Sequence, residues 1–183
     1  TIANGLAALS HAEIVTFGVT PTEPSVSYGY IETRKSLRKK GAKVIRFVEK
    51  PPEDRAKEFY LGGNYLWNSG IFLFLVNNMI EIFQEMKPEM LNLVSESIEK
   101  SVNDMGFLRL HEKPWETVEK ISVDHAILER SEKTYVVPFL GDWTDLGDWD
   151  AVSQTAGSKL TAQASENTIK IDAIVGITRK GFL

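Results

Sequence analysis

Hydrophobic and polar residues change period several times along the chain, and each change marks an element. The opening Thr1-Ile2-Ala3-Asn4-Gly5-Leu6-Ala7-Ala8-Leu9 reads as the end of a helix already under way. Ile14-Val15-Thr16-Phe17-Gly18-Val19 is a short apolar, β-branched run, the pattern of a buried strand. A loop with Pro21, Pro24, Ser25 and Ser27 then leads to Tyr28-Gly29-Tyr30-Ile31. Lys43 to Val48 alternates as K-V-I-R-F-V and predicts one strand that delivers Glu49 and Lys50 at its C-terminal end. Pro52-Glu53-Asp54 opens a helix with acidic residues in its first turn, and after Leu61 the pair Gly62-Gly63 is a stop signal.

Gly70 to Val76 is a continuous apolar run and predicts a second buried strand. A helix from about Asn77-Asn78 follows, with Met79, Ile82, Phe83 and Met86 on one face. Pro88 breaks it, and a second helix carries Met90, Leu91, Val94 and Ile98. Trp115 to Lys120 reads as a loop or short helix, Val123 to Glu129 as helix, Thr134 to Pro138 as strand, and Asp148 to Thr155 as helix. Strands alternating with helices predict an α/β layered domain rather than a sandwich or a bundle. Residues 1–156 are expected to form one domain. From Gly157 to Asn167 the chain turns small and polar, so 157–183 is expected to be a linker and the start of a C-terminal region, with one or two strands between Thr168 and Leu183.

Composition narrows the classes of function. With 183 residues, 43% of them hydrophobic, the chain can bury a sizeable core. A net charge of −4 gives no electrostatic basis for nucleic-acid binding. The densest basic run, Arg34-Lys35 with Arg38-Lys39-Lys40, lies between two predicted strands and is expected to be a solvated loop. No cysteine is present, which excludes disulfides and thiolate metal sites and is compatible with a reducing compartment. His11, His111 and His125 lack the spacing of a zinc site. No stretch approaches the ~20 apolar residues of a membrane helix, and no signal peptide opens the chain, so a cytoplasmic location without a membrane partner is expected.

Three constellations carry candidate chemistry. Glu49-Lys50-Pro51 ends a predicted strand, where ligands of open α/β sheets sit. Pro51 fixes its own φ and biases Lys50 toward an extended backbone, so Glu49 can accept from hydroxyls while Lys50 offers a point charge to a phosphate. A solvated strand end reads equally simply. Asn68-Ser69-Gly70 combines an amide that both donates and accepts with a glycine that lets backbone approach a ligand; the alternative is a plain turn before a strand. Asp145 lies in Trp143-Thr144-Asp145-Leu146-Gly147-Asp148-Trp149, a carboxylate among aromatics. An unpaired buried charge is costly, and a hard cation such as Mg²⁺ would satisfy it; a helix N-cap is the alternative.

In this order, F-V-E-K-P, L-W-N-S-G-I-F and W-T-D-L-G-D-W resemble the sugar-nucleotide pyrophosphorylases, specifically the bacterial mannose-1-phosphate guanylyltransferases. Thr16-Phe17-Gly18-Val19 with Pro21-Thr22, Tyr28-Gly29-Tyr30-Ile31 and Ile121-Ser122-Val123-Asp124-His125-Ala126 support the resemblance, which covers about Ile14 to Val152. It implies a Rossmann-like nucleotide-diphospho-sugar transferase fold, with a mixed, mostly parallel sheet and helices on both faces. It also implies Mg²⁺-dependent reaction of GTP with mannose 1-phosphate to give GDP-mannose and pyrophosphate. The family's sugar-contacting glycine falls on Gly29, its sugar-binding glutamate on Glu49, its phosphate-holding lysine on Lys50, its amide contact on Asn68 with Gly70 behind it, and a metal-binding aspartate on Asp145. Catalytic weight falls on Lys50 and Asp145.

The family's glycine-rich, arginine-ended nucleotide loop and its first metal aspartate do not occur in these residues. The chain is therefore expected to be a fragment holding the sugar-phosphate side, inactive when alone. Some relatives carry a C-terminal phosphomannose isomerase domain, whose metal-binding histidines are not seen here. Two other readings stay open: a nucleotidylyltransferase for another hexose 1-phosphate, and a catalytically silent sugar-phosphate-sensing subunit. A homo-oligomer is compatible with either.

Overall fold

The computed structural model describes residues 1–34, 40–145, 168–170, 176–178 and 181–182. Lys35, Arg38 and Lys39 of the basic run, the helix predicted over 148–155, the polar stretch 157–167 and the end of the tryptophan-rich motif after Asp145 lie outside the described residues. The chain divides into two units, Thr1–Gly141 and Asp142–Leu183.

The first unit is built on a six-stranded sheet. Its strands are β1 (Ile14–Val19), β2 (Tyr30–Glu32), β3 (Ala42–Lys43), β4 (Arg46–Val48), β5 (Tyr65–Phe74) and the later strand Thr134–Phe139, in the spatial order β3, Thr134–Phe139, β1, β5, β2, β4. β1 is buried at every position, as its run of apolar residues around Thr16 leads one to expect. The sheet is mixed, but the expectation of a mostly parallel one is corrected. Among the described residues only β1 and Thr134–Phe139 pair in parallel, while the other four pairings are antiparallel. Parallel neighbours need a long crossover. The path from β1 to Thr134–Phe139 passes through several helices, and the path from β4 to β5 passes through the helix Glu53–Gly62, so β4 and β5 run in the same direction on either side of β2, each antiparallel to it.

The single strand predicted over 43–48 is in fact two, β3 and β4, separated by Val44 and Ile45. These two halves are the outermost strands of the sheet order. Six flat strands would hold their edges about 24 Å apart, but three Cα steps from Lys43 to Arg46 reach at most about 11 Å. The sheet must therefore curl until its edges meet. Val44 donates its N–H to Thr134 C=O (3.0 Å) and Ile45 donates to Glu32 C=O (2.9 Å), so consecutive residues tie opposite edges together.

Helices cover both faces. On one side α1 (Ile2–Ala8) packs Ala8 against Val15, Phe17 and Val137. Nearby α2 (Glu53–Gly62) buries Phe59, which stacks on Tyr65 (ring centroids 4.1 Å apart) and contacts Tyr30. Gly63, at φ +68°, ends α2 in the left-handed cap expected of the glycine pair. On the other side α3 (Val76–Met86) sends Ile82 into a core with Ile14, Ile31, Val44, Phe47, Leu66 and Val136. Met79, Phe83 and Met86 pack around it as the helical spacing predicts. α4 (Pro88–Glu99) starts at its proline, but its predicted Ile98 is exposed; Ser97, one residue earlier, is the buried one, its hydroxyl donating to His111 C=O (2.8 Å).

The first unit also holds a hairpin of β6 (Val102–Asp104) and β7 (Phe107–Arg109) and the helix α5 (Glu112–Thr117), and the strand Thr134–Phe139, parallel to β1, is β8. The helix predicted over 123–129 is a π-helix, Asp124–Leu128, with Ala126, Ile127 and Leu128 buried. Among its described residues the second unit has an antiparallel sheet of three short strands, β9 (Thr168–Lys170), β10 (Gly176–Thr178) and β11 (Gly181–Phe182). No helix among the described residues is long and apolar enough to cross a membrane.

Candidate functional site

The site is built where β4 and β5 break their regular course. β5 starts five residues before the predicted strand, and its buried part is Tyr65, Leu66 and Trp67 rather than the stretch after Gly70. The pairing of β5 with β1 jumps from Phe72 opposite Thr16 to Asn68 opposite Gly18. Two extra residues are thus accommodated on β5, and Asn68-Ser69-Gly70 is a bulge inside a strand rather than a turn before one. Gly70 has φ +72° with open space where a side chain would stand, so the bulge conformation by itself accounts for glycine there.

Asn68 is held at both ends of its amide. Its Oδ1 accepts from Thr16 Oγ1 (3.0 Å) and from Gly70 N–H (3.2 Å), while Nδ2 donates to Asp124 Oδ1 (3.3 Å). One amide hydrogen is left over for a ligand. Trp67 beside it is buried, with Tyr28 edge-on to its ring (centroids 4.8 Å apart), so it packs beneath the bulge as a floor.

At the end of β4 the chain turns through Glu49-Lys50-Pro51. The extended backbone expected at Lys50 is corrected: its φ is +43°, in the left-handed region that non-glycine residues rarely adopt. Glu49 donates its N–H to Glu129 Oε1 (3.1 Å), and His125 Nδ1 lies 3.1 Å from Glu129 Oε2. The Glu49 side chain is only 14% exposed, whereas that of Lys50 is 64% exposed; their charged ends lie 3.8 Å apart.

Gly29 shares the same corner. It donates no side chain to it, and that is its contribution: a Cβ at Gly29 would stand 2.4 Å from Glu49 Oε2 and 3.3 Å from Asn68 Cβ. Its carbonyl accepts the Asn68 N–H (2.7 Å). Gly29, Glu49, Lys50, Asn68 and Gly70 therefore meet at one corner of the sheet. Burial raises the Glu49 carboxyl above its ordinary value, and the negative charge of Asp124 adds to the rise; Lys50 and His125 oppose it. A carboxylate so placed gains from donors that arrive with a ligand.

Asp145 belongs to the second unit and is exposed, so the cost of burying a carboxylate among aromatics does not apply to it. It offers a hard oxygen donor to solvent. Among the described residues no three His, Asp or Glu side chains are grouped to hold a metal ion. Thr16 and Asp124 stood in the sequence only as parts of the supporting motifs and Glu129 as part of a predicted helix, none with a site role. Thr16 had one local signal, a hydroxyl in an otherwise apolar and fully buried strand.

The chain is 39% identical over 145 residues to the mannose-1-phosphate guanylyltransferase of Sinorhizobium fredii, covering 79% of this chain and 28% of that one. It is 34% identical over 169 residues to the alginate biosynthesis protein AlgA of Pseudomonas syringae pv. tomato, covering 91% and 34%. The chain thus spans about a third of the length of these curated relatives. A crystal structure described as mannose-6-phosphate isomerase from Helicobacter pylori superposes with a TM-score of 0.68 at 30% identity, covering 79% of this chain and 56% of that one. The model of the nucleotidyl transferase family matches residues 5–162, most of the 183 present, and the chain belongs to that family.

Proposed function

We propose that this chain is the sugar-phosphate-binding portion of a mannose-1-phosphate guanylyltransferase, which makes GDP-mannose and pyrophosphate from GTP and mannose 1-phosphate. The observation that carries the reading is the corner itself: a largely buried carboxylate, an exposed ammonium 3.8 Å from it, and a glycine whose missing side chain leaves that carboxylate its place. The names of the relatives support mannose 1-phosphate as the sugar phosphate.

On this reading Glu49 accepts hydrogen bonds from ring hydroxyls, each charge-assisted bond contributing about 1.5–3 kcal/mol. Lys50 neutralises the sugar phosphate. The spare amide hydrogen of Asn68 is offered to the ring, and Gly29 and Gly70 keep side chains out of the way. A phosphate oxygen of the sugar forms a bond to the α-phosphorus of GTP as the bond to the β-phosphate bridging oxygen breaks, and pyrophosphate leaves with that electron pair. These residues act by position and charge, with no covalent enzyme intermediate. Mg²⁺, when bound, neutralises phosphate charge. The single exposed oxygen donor of Asp145 fits an ion completed by phosphates and water, and is the ligand this chain would supply.

The test is steady-state kinetics of the full-length protein with mannose 1-phosphate against glucose 1-phosphate, each with GTP. A kcat/KM preference for mannose 1-phosphate of at least about tenfold is expected. A preference for glucose 1-phosphate would point to another hexose-1-phosphate nucleotidylyltransferase. Tight sugar-phosphate binding without turnover would point to a sensing subunit.

A further inference from the structure

The π-helix Asp124–Leu128 touches the candidate site twice, from its two ends. Asp124 Oδ1 accepts from Asn68 Nδ2 (3.3 Å), and Glu129 Oε1 accepts from the backbone N–H of Glu49 (3.1 Å). In an α-helix residues five apart point about 140° away from each other. Here the turn is widened, with Glu129 donating its N–H to Asp124 C=O (3.0 Å), and Glu129 swings round toward the side that Asp124 faces. The wider turn is what lets both carboxylates reach the corner. Ala126, Ile127 and Leu128 anchor the element in the core, so the two contacts spring from a rigid base.

We propose that this π-helix positions the sugar-phosphate contacts: Asp124 sets the direction of the Asn68 amide, and Glu129, oriented by His125, fixes the turn that aims Glu49 and Lys50. This rests on the sugar-phosphate reading above. The strained backbone at Lys50 gives Glu129 something to hold. A non-glycine residue in the left-handed region is strained and persists only where its surroundings enforce it. The bond from Glu49 N–H is a constraint one residue before the strained position. Both are positioning residues, since they act through Asn68 and Glu49 and need not touch the sugar.

Glu129→Ala and Glu129→Gln in the full-length enzyme separate this from a merely structural role. Glu129→Ala should raise the KM for mannose 1-phosphate about tenfold while the KM for GTP changes less than about twofold. Glu129→Gln should restore it to within about threefold, because its amide oxygen still accepts the Glu49 N–H. In a Lys50→Ala background Glu129→Ala should add less than about threefold, since the residue it aims is gone. Should Glu129→Ala fail to fold, Asp124→Ala against Asp124→Asn gives the same contrast through Asn68. Equal rises in both KM values, or an unchanged mannose 1-phosphate KM in Glu129→Ala while Lys50→Ala raises it, would overturn the positioning role alone. An unchanged KM in Lys50→Ala as well would overturn the sugar-phosphate reading and this inference with it.

Discussion

Glu49 is a residue held against its own solvation. Its side chain is largely buried, and Asp124 repels its charge, so the folded protein binds the carboxyl proton more tightly than the unfolded chain does. The sign follows directly. Below the ordinary carboxylate range Glu49 is protonated in both states and costs nothing. As pH rises from that value to the raised one the unfolded chain loses the proton first, folding weakens, and above the raised value the cost is fully present. Glu49→Gln removes this titration. Thermal melts should show the variant more stable than the parent at about pH 7, with the gain shrinking at about pH 4, while mannose 1-phosphate affinity falls. A variant less stable than the parent at neutral pH would contradict the burial cost. Glu49 and Lys50 stood out in the sequence because Pro51 marks the strand end locally, whereas Gly29 entered only through the family resemblance. Thr16, Asp124 and Glu129 did not stand out, because their partners lie 52, 56 and 80 residues away. No local pattern encodes a hydrogen bond over such distances.

Among elements, those governed by local rules were read well and those governed by pairing were not. α2 ends where its glycines say it should, and Gly63 has φ +68° with nothing within 4 Å of the position a Cβ would take. Gly63→Ala therefore meets no clash and carries only the left-handed backbone penalty, about 1 kcal/mol. Denaturant titration should find a loss of that size, with a mannose 1-phosphate KM unchanged within about twofold; a loss beyond about 3 kcal/mol would mean that the cap supports more than the helix end. β5 shows the opposite case. Its sequence alone suggested a turn followed by a strand, because Asn-Ser-Gly is turn chemistry. Pairing with β1 before and after that tripeptide carries one strand through it and leaves it as a bulge. The hairpin β6–β7 went unread for a related reason: its strands are three residues each and their side chains largely exposed, so no buried face imposes a period.

At the scale of the molecule the α/β class was legible from the alternation of strand and helix patterns, and the strand directions were not. Direction is decided by which returns are short, and the sequence shows spacing without showing neighbours. The segment 42–48 is the sharpest case, since its alternation is that of one ordinary strand, yet its halves serve opposite edges of the sheet. That arrangement has a consequence for how the first unit opens. The amides of Val44 and Ile45 are adjacent in the chain but are bonded to acceptors at residues 134 and 32. In a sheet with two independent edges, hydrogen exchange at one edge would say nothing of the other. Here neither edge can fray without pulling on the peptide unit they share, so both amides should exchange in one common opening, with protection factors within about tenfold of each other. Exchange of one at least about a hundredfold faster than the other would mean the edges open separately. With a common opening, the turn that carries Glu49 and Lys50, beginning right after this segment, inherits the slowest motion of the sheet instead of the loose ends typical of a strand terminus.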